Sequence, residues 1–184
     1  LALPPAASGL EFLTAPALPT LPTVTLNGTA QTSTTSMTNF SVKEALTESS
    51  GWNVTVAGHA GTGKSAVFAQ YCPEAAGCGA NPLGYVSGGR ALPADSLALN
   101  TTGASFIGGV GTAPSLTCAS GCNIDSVSAE KIASAPAGGV GGNTWLTTGF
   151  SATSLALHTS SQLALLPATE VYRVDLLWTL STGP

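Results

Sequence analysis

The chain of 184 residues has only 8% charged positions, against about 25% in an ordinary soluble domain; its length suits one domain that buries roughly 70% of its unfolded surface. Five Lys and Arg, a formal charge of -4 and the lack of any basic run exclude the electrostatic footprint that nucleic-acid phosphates require. Pro, Thr and Gly interrupt every apolar segment well short of the ~18 residues of a spanning helix, so no membrane span and a neutral, hydroxyl-rich surface are expected.

The chain starts at Leu1 without an initiator Met, which leads us to expect a mature protein whose signal peptide has been removed, secreted to the extracellular space or the cell surface. Residues 1–22 carry Pro4, Pro5, Pro16, Pro19 and Pro22, a spacing that predicts an extended arm rather than a helix. Within this arm Leu10, Glu11, Phe12 and Leu13 form a short strand candidate. Residues 23–184 form the expected domain, in which short alternating runs stand between turn signals: TVTLNGTA, TNFSVKEA, GWNVTVAG, SLALN, TWLTTGF, SLALH and EVYRVDLLWTL. Such runs predict an antiparallel all-β fold, a β-sandwich or a Greek-key barrel.

In the closing run Tyr172, Val174, Leu176, Trp178 and Leu180 share one face, while Arg173, Asp175, Thr179 and Ser181 share the other. That alternation predicts one strand with a core face and a wet face. SVKEALTESS is the best helical candidate, limited to a turn or two by the Ser-Ser-Gly that ends it.

GHAGTGKS, Gly58 to Ser65, matches the GxxxxGK[ST] spelling of a nucleotide-gripping P-loop. A true P-loop follows a strand buried on both faces and opens a helix whose amides hold phosphates. Here Trp52, Val54 and Val56 alternate with Asn53 and Thr55, and Pro73 stops any helix after SAVFAQYC. A β-hairpin with its tip at Gly58 to Gly63 accounts for the same residues, and the match is fortuitous on this reading. The only Walker-B-like acid, Asp175, is explained by cross-strand pairing on the wet face of its strand.

The four cysteines fall in two local pairs, CPEAAGC and CASGC. Disulfides Cys72–Cys78 and Cys118–Cys122 are the simplest expectation and imply an oxidising compartment. The rival is a four-thiolate zinc site, which neither CxxC spacing nor a neighbouring His supports.

No catalytic constellation emerges. The two histidines, His59 and His158, read as lone surface residues, and no GxSxG elbow surrounds any serine. Asn123 and Asp125 lack the dense acid spacing of a calcium loop, and solvated acids are the expectation there. Asn27, Asn39, Asn53 and Asn100 begin glycosylation-type triplets of the kind a Thr-rich chain produces by composition. No enzyme activity, metal or cofactor is expected.

GWNVTV at residues 51–56 and VYRVDLLWTLSTGP at residues 171–184 together resemble the WxL and WxL-like surface domains of Gram-positive bacteria, including secreted actinobacterial proteins. Trp178, Thr179 and Leu180 match the WxL, Tyr172 and Pro184 stand where the pattern puts them, and Trp52 matches the earlier Trp, although Asn53 and Val54 replace its x-Leu. The likeness extends from about Pro22 to the end of the chain. It implies a secreted, β-rich, non-enzymatic surface protein, with attachment to peptidoglycan as the property of some members. Core packing on apolar faces is the expected role of both Trp residues.

Edge strands usually defend themselves with charge, which this chain nearly lacks, and its arm offers a donor strand. Head-to-tail strand donation does not close and so builds a filament. The expected function is therefore a pilus-like homopolymer in which Leu10 to Leu13 complete a neighbour's sheet. The alternative is a monomeric module that binds cell-wall glycan while the arm folds back on its own domain.

Overall fold

The computed structural model describes residues 9–45, 50–138 and 143–184. Among these residues all regular structure is β, in four antiparallel sheets. The first sheet runs in the order β1 (Leu10–Thr14), β3 (Ser41–Glu44), β12 (Asn143–Thr148), β8 (Ser105–Ile107). The second runs β15 (Leu176–Thr182), β4 (Trp52–Gly58), β11 (Glu130–Ala135), β9 (Ser115–Leu116). Because β1 lies against β15 at one border and β8 against β9 at the other, the two sheets face each other with matched edges. A third sheet, β10 (Cys122–Asn123), β7 (Leu97–Leu99), β13 (Leu155–Thr159), β2 (Gln31–Thr35), extends the body. A small fourth sheet joins β14 (Val171–Arg173), β5 (Ala69–Cys72) and β6 (Gly84–Tyr85). This is the antiparallel sandwich architecture that the alternating runs predict.

Strand alternation builds the core directly. In β4, Trp52, Val54 and Val56 are fully buried, and the strand is central between β15 and β11. Across the first sheet Phe12, Val42 and Trp145 are register partners, so they point to one side, towards the second sheet. On the opposite face Leu146 pairs with Ile107, and both are exposed. Four rings link the two sheets edge to face: Phe12 meets Phe40, Phe40 meets Phe106, and Phe106 meets Trp52, with centroids 5.8 to 6.3 Å apart. The third sheet adds Leu97, Leu99, Leu155 and Leu157 to the same contiguous cluster.

Three local expectations change. The run TVTLNGTA forms no strand, because Asn27 Oδ1 accepts hydrogen bonds from Thr29 N and Thr29 Oγ1 in a turn that Gly28 closes at φ 76°. The polar segment that follows it, Gln31–Thr35, forms β2 on the border of the third sheet instead. The helical candidate begins with β3, whose Ser41, Val42 and Glu44 are buried because the strand is flanked by β1 and β12; residues 46–49 lie outside the described residues.

The closing run is the third change. It is two strands that join different sheets, β14 on β5 and β15 on β4. The chain crosses from one to the other at Val174 and Asp175.

Candidate functional site

Among the described residues β1 sits on the border of the first sheet, with β3 as its strand partner. Leu10 is buried and Phe12 packs against the core, so the strand is part of the hydrophobic interior and not an appendage. Glu11 and Lys43 are register partners whose side chains form an ion pair at 3.3 Å on the outer face. At Leu13 the ladder slips between Phe12 and Thr14, which turns Leu13 out to solvent at 52% exposure. A bulge and a charge pair are the usual guards of an open edge, and here both stand on the strand predicted to be donated.

Past β1 the chain runs without strand pairing from residue 15 to residue 30. Pro16, Pro19 and Pro22 keep it extended and remove ladder donors. It is held at a few points: Pro16 is buried, Ala17 N donates to Thr38 Oγ1 at 3.3 Å and Ala17 O accepts from it at 2.6 Å, Thr25 O accepts from Gln31 Nε2 at 2.6 Å, and Leu18 and Leu21 pack on the core from outside. Residues 1–8 of the arm lie outside the described residues.

The stretch Gly58 to Ser65 forms a tight turn, with a bridge between Gly61 and Lys64 and Gly63 at φ 68°. The strands on either side do not pair as the predicted hairpin. β4 lies between β15 and β11, whereas β5 joins β14 and β6, because Gly58 packs directly on Ala66 and the chain turns away from β4 there. No helix follows Ser65, and Lys64 Nζ faces Asp175 Oδ1 at 3.6 Å.

Asp175 is not on a wet face. The sheet change at residues 174–175 turns its carboxylate inward, to 9% exposure, where it organises four donors. Tyr85 Oη donates to Oδ2 at 2.6 Å, Ser65 N donates to Oδ2 at 3.2 Å, and Arg173 Nη2 donates to Oδ1 at 3.2 Å beside Lys64. Burial alone would raise the Asp175 pKa, but these hydrogen bonds and the two cations outweigh it and hold the carboxyl below its usual range. The same burial and the facing carboxylate push the Tyr85 phenol far above its ordinary value. Arg173 is also stacked over Tyr71, 4.5 Å from the ring centroid. The cluster therefore fastens the fourth sheet to β15.

Both disulfides form as the spacing predicts, Cys72–Cys78 and Cys118–Cys122, and no free cysteine remains among the described residues. Near the first, Gln70 Nε2 and Asn81 Nδ2 donate to the buried Glu170 carboxylate. Asp125 is another inward acid: it is fully buried, and its oxygens accept from Ser96 N at 3.1 Å and Leu97 N at 2.9 Å. The expectation of a solvated acid at Asp125 is thus replaced by a brace on the start of β7, while Asn123 remains exposed.

Trp52 is fully buried, whereas Tyr172, Trp178 and Leu180 are half-buried and pack against the core from β14 and β15. Tyr172 Oη donates to Ala164 O at 3.0 Å. His158 Nδ1 lies 3.0 Å from Thr32 Oγ1 across β13 and β2, and His59 N donates to Asp175 O at 2.7 Å. No helix among the described residues is long and apolar enough to cross a membrane. No family model, no curated protein and no solved structure matches this chain.

Proposed function

We propose that the chain is a subunit of a secreted surface filament, assembled when β1 of one copy takes the place of β1 on β3 of the next. The observation that carries this reading is the dual character of β1. It fills the core with Leu10 and Phe12, yet it hangs on an unpaired segment, residues 15–30. Such a tether, fully extended, reaches on the order of 50 Å, enough to seat the strand on an adjacent molecule. Exchange repeats the same ladder and the same packing, so its cost is confined to the tether and to the loss of freedom on association. The likeness to WxL-type surface domains and the two disulfides fit an extracellular setting.

Electron microscopy of the native material tests this reading, with filaments as the expected image. Deletion of residues 1–20 should abolish them, and a synthetic peptide spanning residues 9–15 should bind the truncated protein and cap it as a soluble complex. Filaments formed by the truncated protein would contradict strand donation.

The seating of β1 on its own β3 favours one second reading, a monomeric module that binds peptidoglycan through its neutral, hydroxyl-rich surface. Single particles in the microscope together with co-sedimentation of the protein with purified cell walls would select it.

A further inference from the structure

An open groove of about 760 Å3 runs between the arm, the 163–168 segment and β14. Its floor is apolar and buried: Phe68, Leu92 and Leu157 are each no more than 7% exposed. Leu18 and Leu21 form one wall, and Leu165, at 80% exposure, and Val171 stand at the rim. The size falls inside the range of about 300 to 1,000 Å3 in which proteins enclose small ligands. An exposed apolar channel of this extent marks a ligand or interaction site.

The groove's lining carries two charged residues, Arg173 and the buried Glu170. Arg173 lines the groove with its side chain 46% exposed, and the charge of Arg90 acts on the phenol of Tyr172, another lining residue. Lys64 stands beside Arg173 on the same carboxylate. Arg173 is thus the cation in the lining itself, with Arg90 and Lys64 outside it. The Asp175 carboxylate is engaged by the donors described above, while Glu170 turns Oε2 to Gln70 and Oε1 to Asn81, neutral donors that leave its charge in place. Arg173 gives Nη2 to Asp175 and one face of its guanidinium plane to the Tyr71 ring, which leaves further N–H donors of the guanidinium for a planar anion.

We propose that this groove binds a long-chain fatty acid, its hydrocarbon along the Phe68, Leu92 and Leu157 floor and its carboxylate on Arg173. An apolar trough explains a chain-like ligand, and the Arg173 guanidinium selects an acid over an alcohol. The Leu18 and Leu21 wall belongs to the 15–30 tether, so the groove as described exists where β1 sits on its own β3, and its binding test is run on unassembled protein.

Displacement of the fluorescent fatty acid cis-parinaric acid by palmitate, below the micelle concentration and with the intact chain, tests the site. Saturable binding at one ligand per chain is expected, with hexadecanol weaker than palmitate by about tenfold or more, the factor that a charge-assisted hydrogen bond supplies. Arg173→Ala should lower palmitate affinity by a similar factor and leave hexadecanol unchanged, and Leu165→Asp at the exposed rim should weaken both. Near-ultraviolet circular dichroism checks that each variant is folded; where Arg173→Ala is not, the comparison of palmitate with hexadecanol on the native protein decides. Absence of saturable displacement, or equal affinity for the acid and the alcohol, overturns the proposal.

Discussion

Phe12 and Phe40 meet edge to face, with ring centroids 6.3 Å apart and planes at 80°. Phe12 comes from the border strand and Phe40 from the residue just before β3, so this contact is where the arm enters the interior. Beyond it, Phe106 and Trp52 carry the chain of rings to the opposite sheet. Phe12→Ala should therefore cost about 3 kcal/mol, the lower end for a Phe truncation because the ring is only partly buried. Urea unfolding of the purified variant measures this. A cost under about 0.5 kcal/mol, the range of ordinary surface changes, would mean that β1 is not part of the core.

Asp175 gives the fold a predictable acid limit. Its carboxyl is held below its usual range in the folded state, so its contribution is complete above the unfolded value of about 3.9 and is lost as pH falls through the folded pKa. Asp175→Asn should lower stability at neutral pH by on the order of 2 kcal/mol. The gap between variant and native melting temperatures should narrow below pH ~4. A gap that stays constant with pH would remove the ionic account of this cluster.

Gly58 is required by packing. A Cβ there would lie 2.2 Å from Ala66 O, a backbone atom that cannot swing aside. Gly58→Ala is expected to destabilise by about 3 kcal/mol, whereas Lys64→Ala, which removes one half-exposed ion pair, should cost about 1 kcal/mol or less. Thermal melts of the two variants side by side give the comparison, and a larger loss for Lys64→Ala would reverse it.

Each disulfide closes a short loop, with sequence separations of 6 and 4. Chain-entropy arguments give about 2 kcal/mol apiece for loops of this size. The double variant Cys118→Ala/Cys122→Ala should lose that amount in denaturant unfolding while keeping its sheet signature in far-ultraviolet circular dichroism.

What was legible in the sequence was whatever depends on neighbours along the chain. Alternation at Trp52, Val54 and Val56 exposed the inward ridge of β4, and the spacing within CPEAAGC and CASGC gave both cysteine pairs. What depends on distant partners was hidden. Strand β2 is polar all along and is set by pairing with β13, far away in the chain; β3 looks helical until β1 and β12 flank it. The inward turn of Asp175 follows from a change of sheet, which alternation alone does not register. The run from Arg173 to Asp175 held one usable hint, since an acid beside an Arg can be an internal pair as well as a solvated one.

The most direct test of strand exchange uses the register of β1 on β3. Glu11 and Lys43 are opposite each other, so a Glu11→Cys/Lys43→Cys variant, oxidised under conditions in which the native chain assembles, should lock β1 to whichever β3 it occupies. Exchange between copies predicts a ladder of disulfide-linked multimers on a non-reducing gel, collapsing to one band on reduction. A single internally cross-linked monomer band under those conditions would contradict it.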